Sequence, residues 1–380
     1  MKILIAPDKF KDALSAGDIC TCLEKGILTT FPEAKCILLP LADGGEGTLE
    51  SLNTNLKGEF IKVETFDPLQ RAISATYLFV EKTKTAIIEM ARASGIELLL
   101  SQERNCFKTS SYGTGILISD AIQKGAKEIT LTVGGTATND AGMGIASALG
   151  FNFLDEDEQI LEPIGENLIK VKKVETANVL SELSSIKFTI ATDVTNPFYG
   201  ESGAAYVFAR QKGADDEGIK YLDKGLKNFA EVLENQFKQN PQNLIGSGAG
   251  GGVSGGLSVL LNAKIISAAS WILEINNTEE LLKNTDILIT GEGKVDSQTW
   301  DGKLISQLLD KANQANVPVI IICGTLQDIP TVAKQEGILY ATSILNAPIS
   351  LEQALKETPQ LVENQGVLLG RLLRKIPREF

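Results

Sequence analysis

The chain has 380 residues, 43% of them apolar and 22% charged, with no histidine and a formal net charge of −12. That length exceeds what one hydrophobic core usually serves and suits two domains of a globular protein. The acidic balance disfavours nucleic acid and anionic membrane surfaces, and the missing imidazole removes Ser/His/Asp and Cys/His nucleophiles, imidazole acid–base catalysis and His-rich metal sites.

What remains is carboxylate or lysine chemistry with oxygen-liganded metal, the toolkit of magnesium-dependent phosphoryl transfer. Small anionic ligands stay open despite the net charge, because backbone N–H groups act locally. The apolar stretch before the first charges is too short for a signal-peptide core, and no run reaches the roughly 18 apolar residues of a membrane helix. The cysteines, Cys20, Cys22, Cys36, Cys106 and Cys323, lack C-x-x-C spacing, which argues against a disulfide framework and a zinc site. A cytoplasmic setting with small-molecule partners is expected, without nucleic acid or membrane; homo-oligomer formation is left open.

In chain order, short apolar runs and longer amphipathic ones predict a strand at 2–6, a helix near 15–30, a strand near 36–40 and a helix near 47–56. Runs at 60–65, 72–80 and 85–90 lie too close together for crossover helices and predict an antiparallel meander. A strand at 188–192, a polar helix near 215–237 and an apolar, small-residue helical region at 253–275 follow. The C-terminal third returns to strand 286–290, helix near 304–315, strand 317–323 and a further strand near 338–343. Both ends read as parts of one parallel sheet. The expected fold is α/β: a discontinuous Rossmann-like parallel-sheet domain (1–59 and 284–380) with an inserted second mixed α/β domain (60–283).

Candidate chemistry lies where predicted strands end. Asp43-Gly44-Gly45-Glu46-Gly47 follows a strand and precedes a helix; Asp43 and Glu46 have capping-box spacing, but the glycines exceed what a cap needs. Thr290 to Asp296 reads as a second such turn after a four-residue strand, where Glu292, Lys294 and Asp296 suit a metal and polyphosphate. Lys303 suits the first turn of the next helix or a solvated surface.

Gly134-Gly135-Thr136-Ala137-Thr138-Asn139-Asp140 combines close backbone approach with hydroxyl donors and predicts an anion cradle at a helix start, with Asn139 or Asp140 as cap. Ser110 to Gly115, with Ser111, is a weaker example. Asp193 ends a strand before Asn196-Pro197 and reads either as an Asx-turn or as the acceptor of a proton from an attacking hydroxyl. Asp8, Lys9 and Lys11 follow the first strand at the sheet edge. Gly246 to Gly252 matches G-x-G-x-x-G but lacks a proper preceding strand, so Gly250 and Gly251 suit close packing or phosphate contact better than a dinucleotide. P-loop and protein-kinase motifs are absent.

In order, PDKFKDALSA, PLADGGEGT, IIEMARASG, SSYGTG, GGTATNDAG, ATDVTNPFYG, ARQKGA, GSGAGGG and TGEGKVDSQTWDGK resemble the type I glycerate kinases over essentially residues 1–330. The resemblance implies phosphorylation of D-glycerate by ATP with Mg2+, usually at the 2-hydroxyl, in a cleft between a Rossmann-like domain and a second α/β domain. Lys9 and Thr136 stand where that family usually has serine, and Asp12 and Ala141 where it usually has glycine.

On that resemblance, Asp193 is expected as proton acceptor and Lys11 as phosphate cation. Asp43, Glu292 and Asp296 are expected as metal acids, and Arg92 as partner of the glycerate carboxylate. Asp8, Lys9, Ser111, Gly134, Gly135, Thr136, Thr138, Asn139, Gly250 and Gly251 would contact substrate or phosphate. A glycerate 3-kinase and a non-catalytic nucleotide or hydroxyacid sensor are the alternatives.

Overall fold

The computed structural model describes residues 1–300, 303–327 and 329–375. Strands β1 (Lys2–Ile5) and β2 (Lys35–Leu38) open the chain, followed by β3 (Glu59–Phe66), β4 (Ala72–Val80), β5 (Thr85–Glu89) and β6 (Glu128–Thr132). Then come the short pair β7 (Asn152–Leu154) and β8 (Lys173–Glu175), β9 (Lys187–Ala191) and β10 (Lys264–Ile266). Strands β11 (Ile287–Val295), β12 (Val319–Leu326) and β13 (Ile338–Ser343) close the series. Two compact units result: 1–43, 50–55 and 269–380 form the first, 44–49 and 56–268 the second. Among the described residues no helix is long and apolar enough to cross a membrane.

The first unit is built on a parallel sheet of order β13-β12-β11-β1-β2. Ile3, Ile5, Ile287, Ile289, Ile320 and Ile322 are buried in its core, as expected where helices cover both faces of a parallel sheet. Helix Ala16–Thr30 starts at Ser15, whose Oγ accepts from Asp18 N at 3.2 Å, and buries Ile19, Leu23 and Ile27. It packs against helix Leu351–Leu373 through small residues. A methyl group at Gly26 would collide with the carbonyl oxygen of Glu363, so only glycine allows this approach.

The second unit carries a mixed sheet of order β10-β9-β6-β5-β4-β3. β3, β4 and β5 form the antiparallel meander, while β5, β6, β9 and β10 run parallel. Tyr77, Phe79, Phe153, Phe198 and Phe229 fill its core; Phe229 lies on helix Asp216–Phe237, which Asp215 caps by accepting from Gly218 N at 2.8 Å.

Two expectations are corrected. Residues 290–295 are not a turn: β11 continues through Gly291-Glu292-Gly293 and pairs with β12 as far as Val295 and Leu326. Glycines and charges weaken a strand reading, but β11 pairs with β1 at Ile287–Ile289 and its ladder with β12 runs on through this stretch, so the pairing prevails. Region 253–275 is not continuous helix; it splits into helix Val253–Leu260, strand β10 and helix Ala268–Ile275. Three residues are too few for a period-two pattern to stand out. Except for Ala268, the helices Ala268–Ile275 and Thr278–Leu282, both inside the expected insert 60–283, belong to the first unit.

Candidate functional site

In the first unit the chain runs from β1 to β2 on one side, while β11 pairs with β1 on the other, so the strand order switches direction at β1. Ligands in open α/β sheets bind outside the C-terminal strand ends at such a switch. The residues after β1 stay tied to β11: Asp8 N donates to Gly291 O at 2.8 Å, and Thr290 Oγ1 donates to Ala6 O at 2.7 Å.

Acids gather here. Burial pushes the Asp8 carboxyl up to about 8, with the Asp43 and Glu292 carboxylates adding to the rise. The bond from Lys9 N to Asp8 Oδ1, 2.7 Å long, opposes it. Burial likewise raises Glu292, against a lowering hydrogen bond from Thr299 and the charge of Lys303. Asp296 lies one residue past β11 and pairs with Lys294 Nζ at 2.8 Å. Lys9 is half-buried and Lys11 exposed. Asp301 and Gly302 of the motif ending in DGK lie outside the described residues.

These oxygens suit a hard cation. Among the described residues no three Asp, Glu, Cys or His side chains converge as a ready-made cage. Mg2+ does not require one, since it is commonly held by one or two carboxylates, water and substrate phosphates. The mutual repulsion written into Asp8, Asp43 and Glu292 fits such a set.

In the second unit, β5, β6, β9 and β10 point the same way, and the segments leaving their C-terminal ends carry the candidates. Glu89 closes β5, is 1% exposed, and accepts from Arg92 Nε and Leu49 N, each at 2.8 Å. Arg92 is half-buried and thereby oriented. Past β9, Asp193 Oδ1 accepts from Ser267 Oγ at 2.7 Å, and Ser267 directly follows β10.

The loop after β6 holds Gly134 to Asp140. Gly134 faces Gly45, where an added methyl would sit 3.0 Å from the Gly45 Cα. Thr136 is buried and accepts at Oγ1 from Lys212 Nζ at 3.1 Å. Thr138 and Asn139 are fully buried, and Thr138 Oγ1 and both polar side-chain atoms of Asn139 have no hydrogen-bond partner in the protein. Buried polar groups of this kind normally find partners, so such orphans point to water or ligand.

Asp140 braces the loop rather than capping it simply. It accepts from Ser111 Oγ at 2.7 Å, Ser111 N at 2.8 Å, Gly142 N at 3.1 Å and Gly144 N at 3.2 Å. Burial pushes its carboxyl up and these bonds hold it down. The Ser111 hydroxyl also accepts from Ile145 N at 3.1 Å, so Ser111 serves this brace. The helix after the loop, Met143–Ala148, is too short to act as an anion site through its dipole, and the expected cradle at a helix start reduces to the loop itself. Gly250 and Gly251 lie in a turn that backs the loop, with Gly251 O accepting from Ala141 N at 3.2 Å.

Sequence reasoning passed over Lys212, Glu89 and Ser267. Lys212 sits within the quoted ARQKGA, but lysine is so seldom buried that nothing singled it out. Glu89 ends an apolar strand, and an acid before arginine was the available signal.

The comparisons agree in kind. The sequence profile of the Glycerate kinase family matches residues 3–374. A glycerate kinase of Halalkalibacterium halodurans is 38% identical over 361 residues, covering 95% of each chain. The glycerate 2-kinase of Escherichia coli K12 is 36% identical, covering 94% of this chain and 93% of its own. A crystal structure assigned to glycerate kinase 2 of Salmonella typhimurium LT2 superposes with a TM-score of 0.86 at 35% identity, over 98% of both chains.

Proposed function

The chain belongs to the glycerate kinase family, and on that premise we propose that it phosphorylates D-glycerate with ATP and Mg2+, at the 2-hydroxyl, to give 2-phosphoglycerate. The observation that supports the metal-dependent reading is the set of mutually repelling acids Asp8, Asp43 and Glu292 at the sheet's switch point. Such carboxylates are costly to bring together unless a cation or a proton joins them. The likeness to the E. coli glycerate 2-kinase favours the 2-hydroxyl.

Asp43 and Glu292 would hold the metal, with Asp8 beside them and Asp296 held back by Lys294. Mg2+ supplies charge neutralisation on the polyphosphate. Asp8, expected as a phosphate contact, fits better as a metal-side acid, because an anionic carboxylate would repel phosphate directly. Lys9 and Lys11 would add positive charge for the polyphosphate. Arg92, oriented by Glu89, would pair with the glycerate carboxylate. Asp193, oriented by Ser267, would accept the hydroxyl proton. Gly134, Gly135, Thr136, Thr138 and Asn139 would offer N–H, hydroxyl and amide donors to phosphate or substrate, with Gly250 and Gly251 behind them.

The test is ADP release from purified protein with ATP, Mg2+ and D-glycerate, followed by phosphorus NMR of the product. Absence of glycerate-dependent ADP would refute the reaction, and a 3-phosphate product would refute the position.

A further inference from the structure

Lys212 is 3% exposed, yet neither acceptor of its Nζ is a carboxylate: it donates to Thr136 Oγ1 at 3.1 Å and to Thr138 O at 2.7 Å. The titratable groups facing it are Cys106 and Asp140, and Asp140 already accepts four bonds from Ser111, Gly142 and Gly144. Burial lowers the Lys212 ammonium to about 8. A buried cation held by neutral dipoles is expensive, so its retention calls for a use.

The fold fixes this lysine firmly. Its N–H donates to Ala209 O at 3.0 Å and its carbonyl accepts from Cys106 N at 3.0 Å. Gly213, next in the chain, has φ +99°, and a methyl there would collide with the carbonyl of Arg104. The main chain is thereby held in place, and the side chain brings the ammonium to the loop after β6.

Its effect on the loop follows from hydrogen-bond valence. Once Thr136 Oγ1 accepts from an ammonium, its own hydrogen must point away, and the polarised hydroxyl becomes a stronger donor. Holding Thr138 O fixes the peptide beside Thr138 Oγ1 and Asn139, whose side-chain polar atoms have no protein partner.

We infer that Lys212 is a positioning residue: through Thr136 and Thr138 it presents the donors of the 134–139 loop, under a positive potential, to an anionic oxygen of the reactants. The inference rests on the reading that this loop receives substrate or phosphate. The glycerate carboxylate and the γ-phosphoryl group of ATP share the required chemistry, and the test separates them.

The test compares Lys212→Met, Thr136→Val and the double variant with wild type. Initial rates are taken with each substrate varied in turn, and calorimetric titrations use D-glycerate and a non-hydrolysable ATP analogue separately. Lys212→Met should lower kcat/KM about 30-fold for the substrate whose anion the loop receives, as expected for a charge-assisted bond. Its Tm should equal or exceed that of wild type, because a buried charge has been removed. The double variant should lose no more than about twofold beyond Lys212→Met, since the two residues act through one bond.

Rates and affinities within about threefold of wild type, or losses that multiply in the double variant, would overturn the inference. Should Lys212→Met not fold, Lys212→Gln is read against Thr136→Val by the same coupling criterion. A wild-type protein that binds glycerate or the analogue without turnover would refute the reaction alone. In that case weakened binding in Lys212→Met still supports the role of Lys212, and equal binding overturns it.

Discussion

Ser267 donates its hydroxyl hydrogen to Asp193 Oδ1 at 2.7 Å, tying the residue that follows β10 to the turn that follows β9. A carboxylate fixed in this way keeps one orientation toward an incoming hydroxyl. Asp193→Asn should lower kcat by about 10²–10⁴-fold, the range for loss of a general base, with little change in glycerate KM. Ser267→Ala should cost roughly tenfold, the worth of one orienting hydrogen bond to a charged group. Steady-state ADP release checks both, and near-normal turnover in Asp193→Asn would remove Asp193 from the mechanism.

Asp8 gives a pH prediction. Its carboxyl is raised from 3.8 to about 8 in the folded protein. Between those values the folded state keeps a proton that the unfolded chain has released, so this group lowers stability as the pH rises through that window. Below about 4 both states are protonated and the penalty vanishes; above about 8 it is complete. Without Mg2+, wild-type Tm should therefore fall relative to Asp8→Asn from about pH 5 to pH 8. Parallel Tm profiles for the two proteins would contradict the raised carboxyl.

Ala141 adopts φ +53° and Asp12 φ +61°, both left-handed, a region that favours glycine. Alanine in that region costs about 1–2 kcal/mol, while aspartate tolerates it better. Glycine recovers the strain but loosens the unfolded chain by about 0.4–1 kcal/mol. Ala141→Gly should thus stabilise the protein by up to about 1.6 kcal/mol, and Asp12→Gly by less. Urea unfolding midpoints measure both, and a lower midpoint for Ala141→Gly would show that its buried methyl matters more than its backbone.

The two ends of the chain declared their parallel sheet through short apolar runs such as Lys2–Ile5 and Val319–Leu326, and the meander declared itself through spacing too tight for helices. The acids Asp43, Glu292 and Asp193 were visible because each lies near the end of an apolar run. Lys212, Ser267 and the brace between Ser111 and Asp140 were not, because each depends on partners far along the chain: 74 residues separate Ser267 from Asp193, and 76 separate Lys212 from Thr136. Local patterns carry strand and helix, whereas the polar partners of a buried side chain are settled only when the sheet assembles.

Removing divalent metal should abolish turnover, and Glu292→Gln or Asp43→Asn should raise the Mg2+ concentration needed for half-maximal rate by about tenfold or more, the usual scale for disturbing a metal site. The lysine partner makes Asp296→Asn the milder change. Rates measured across a magnesium titration decide the order, and an Asp296→Asn variant more impaired than Glu292→Gln would reverse the assignment.

β11 has a consequence for how this chain can vary. A loop can absorb an extra residue and still present the same side chain, but Glu292 rides on a strand paired to β1 and β12 at fixed register. Its phase is therefore bound to that of the hydrophobic core: Glu292 and Lys294 share one face, and a shift by a single residue turns that face over. Inserting one residue between Leu288 and Thr290 would leave the motif from Thr290 onward intact yet place the acid on the opposite face of the sheet. Length in this short stretch is thus as strict a requirement as the identity of the carboxylate.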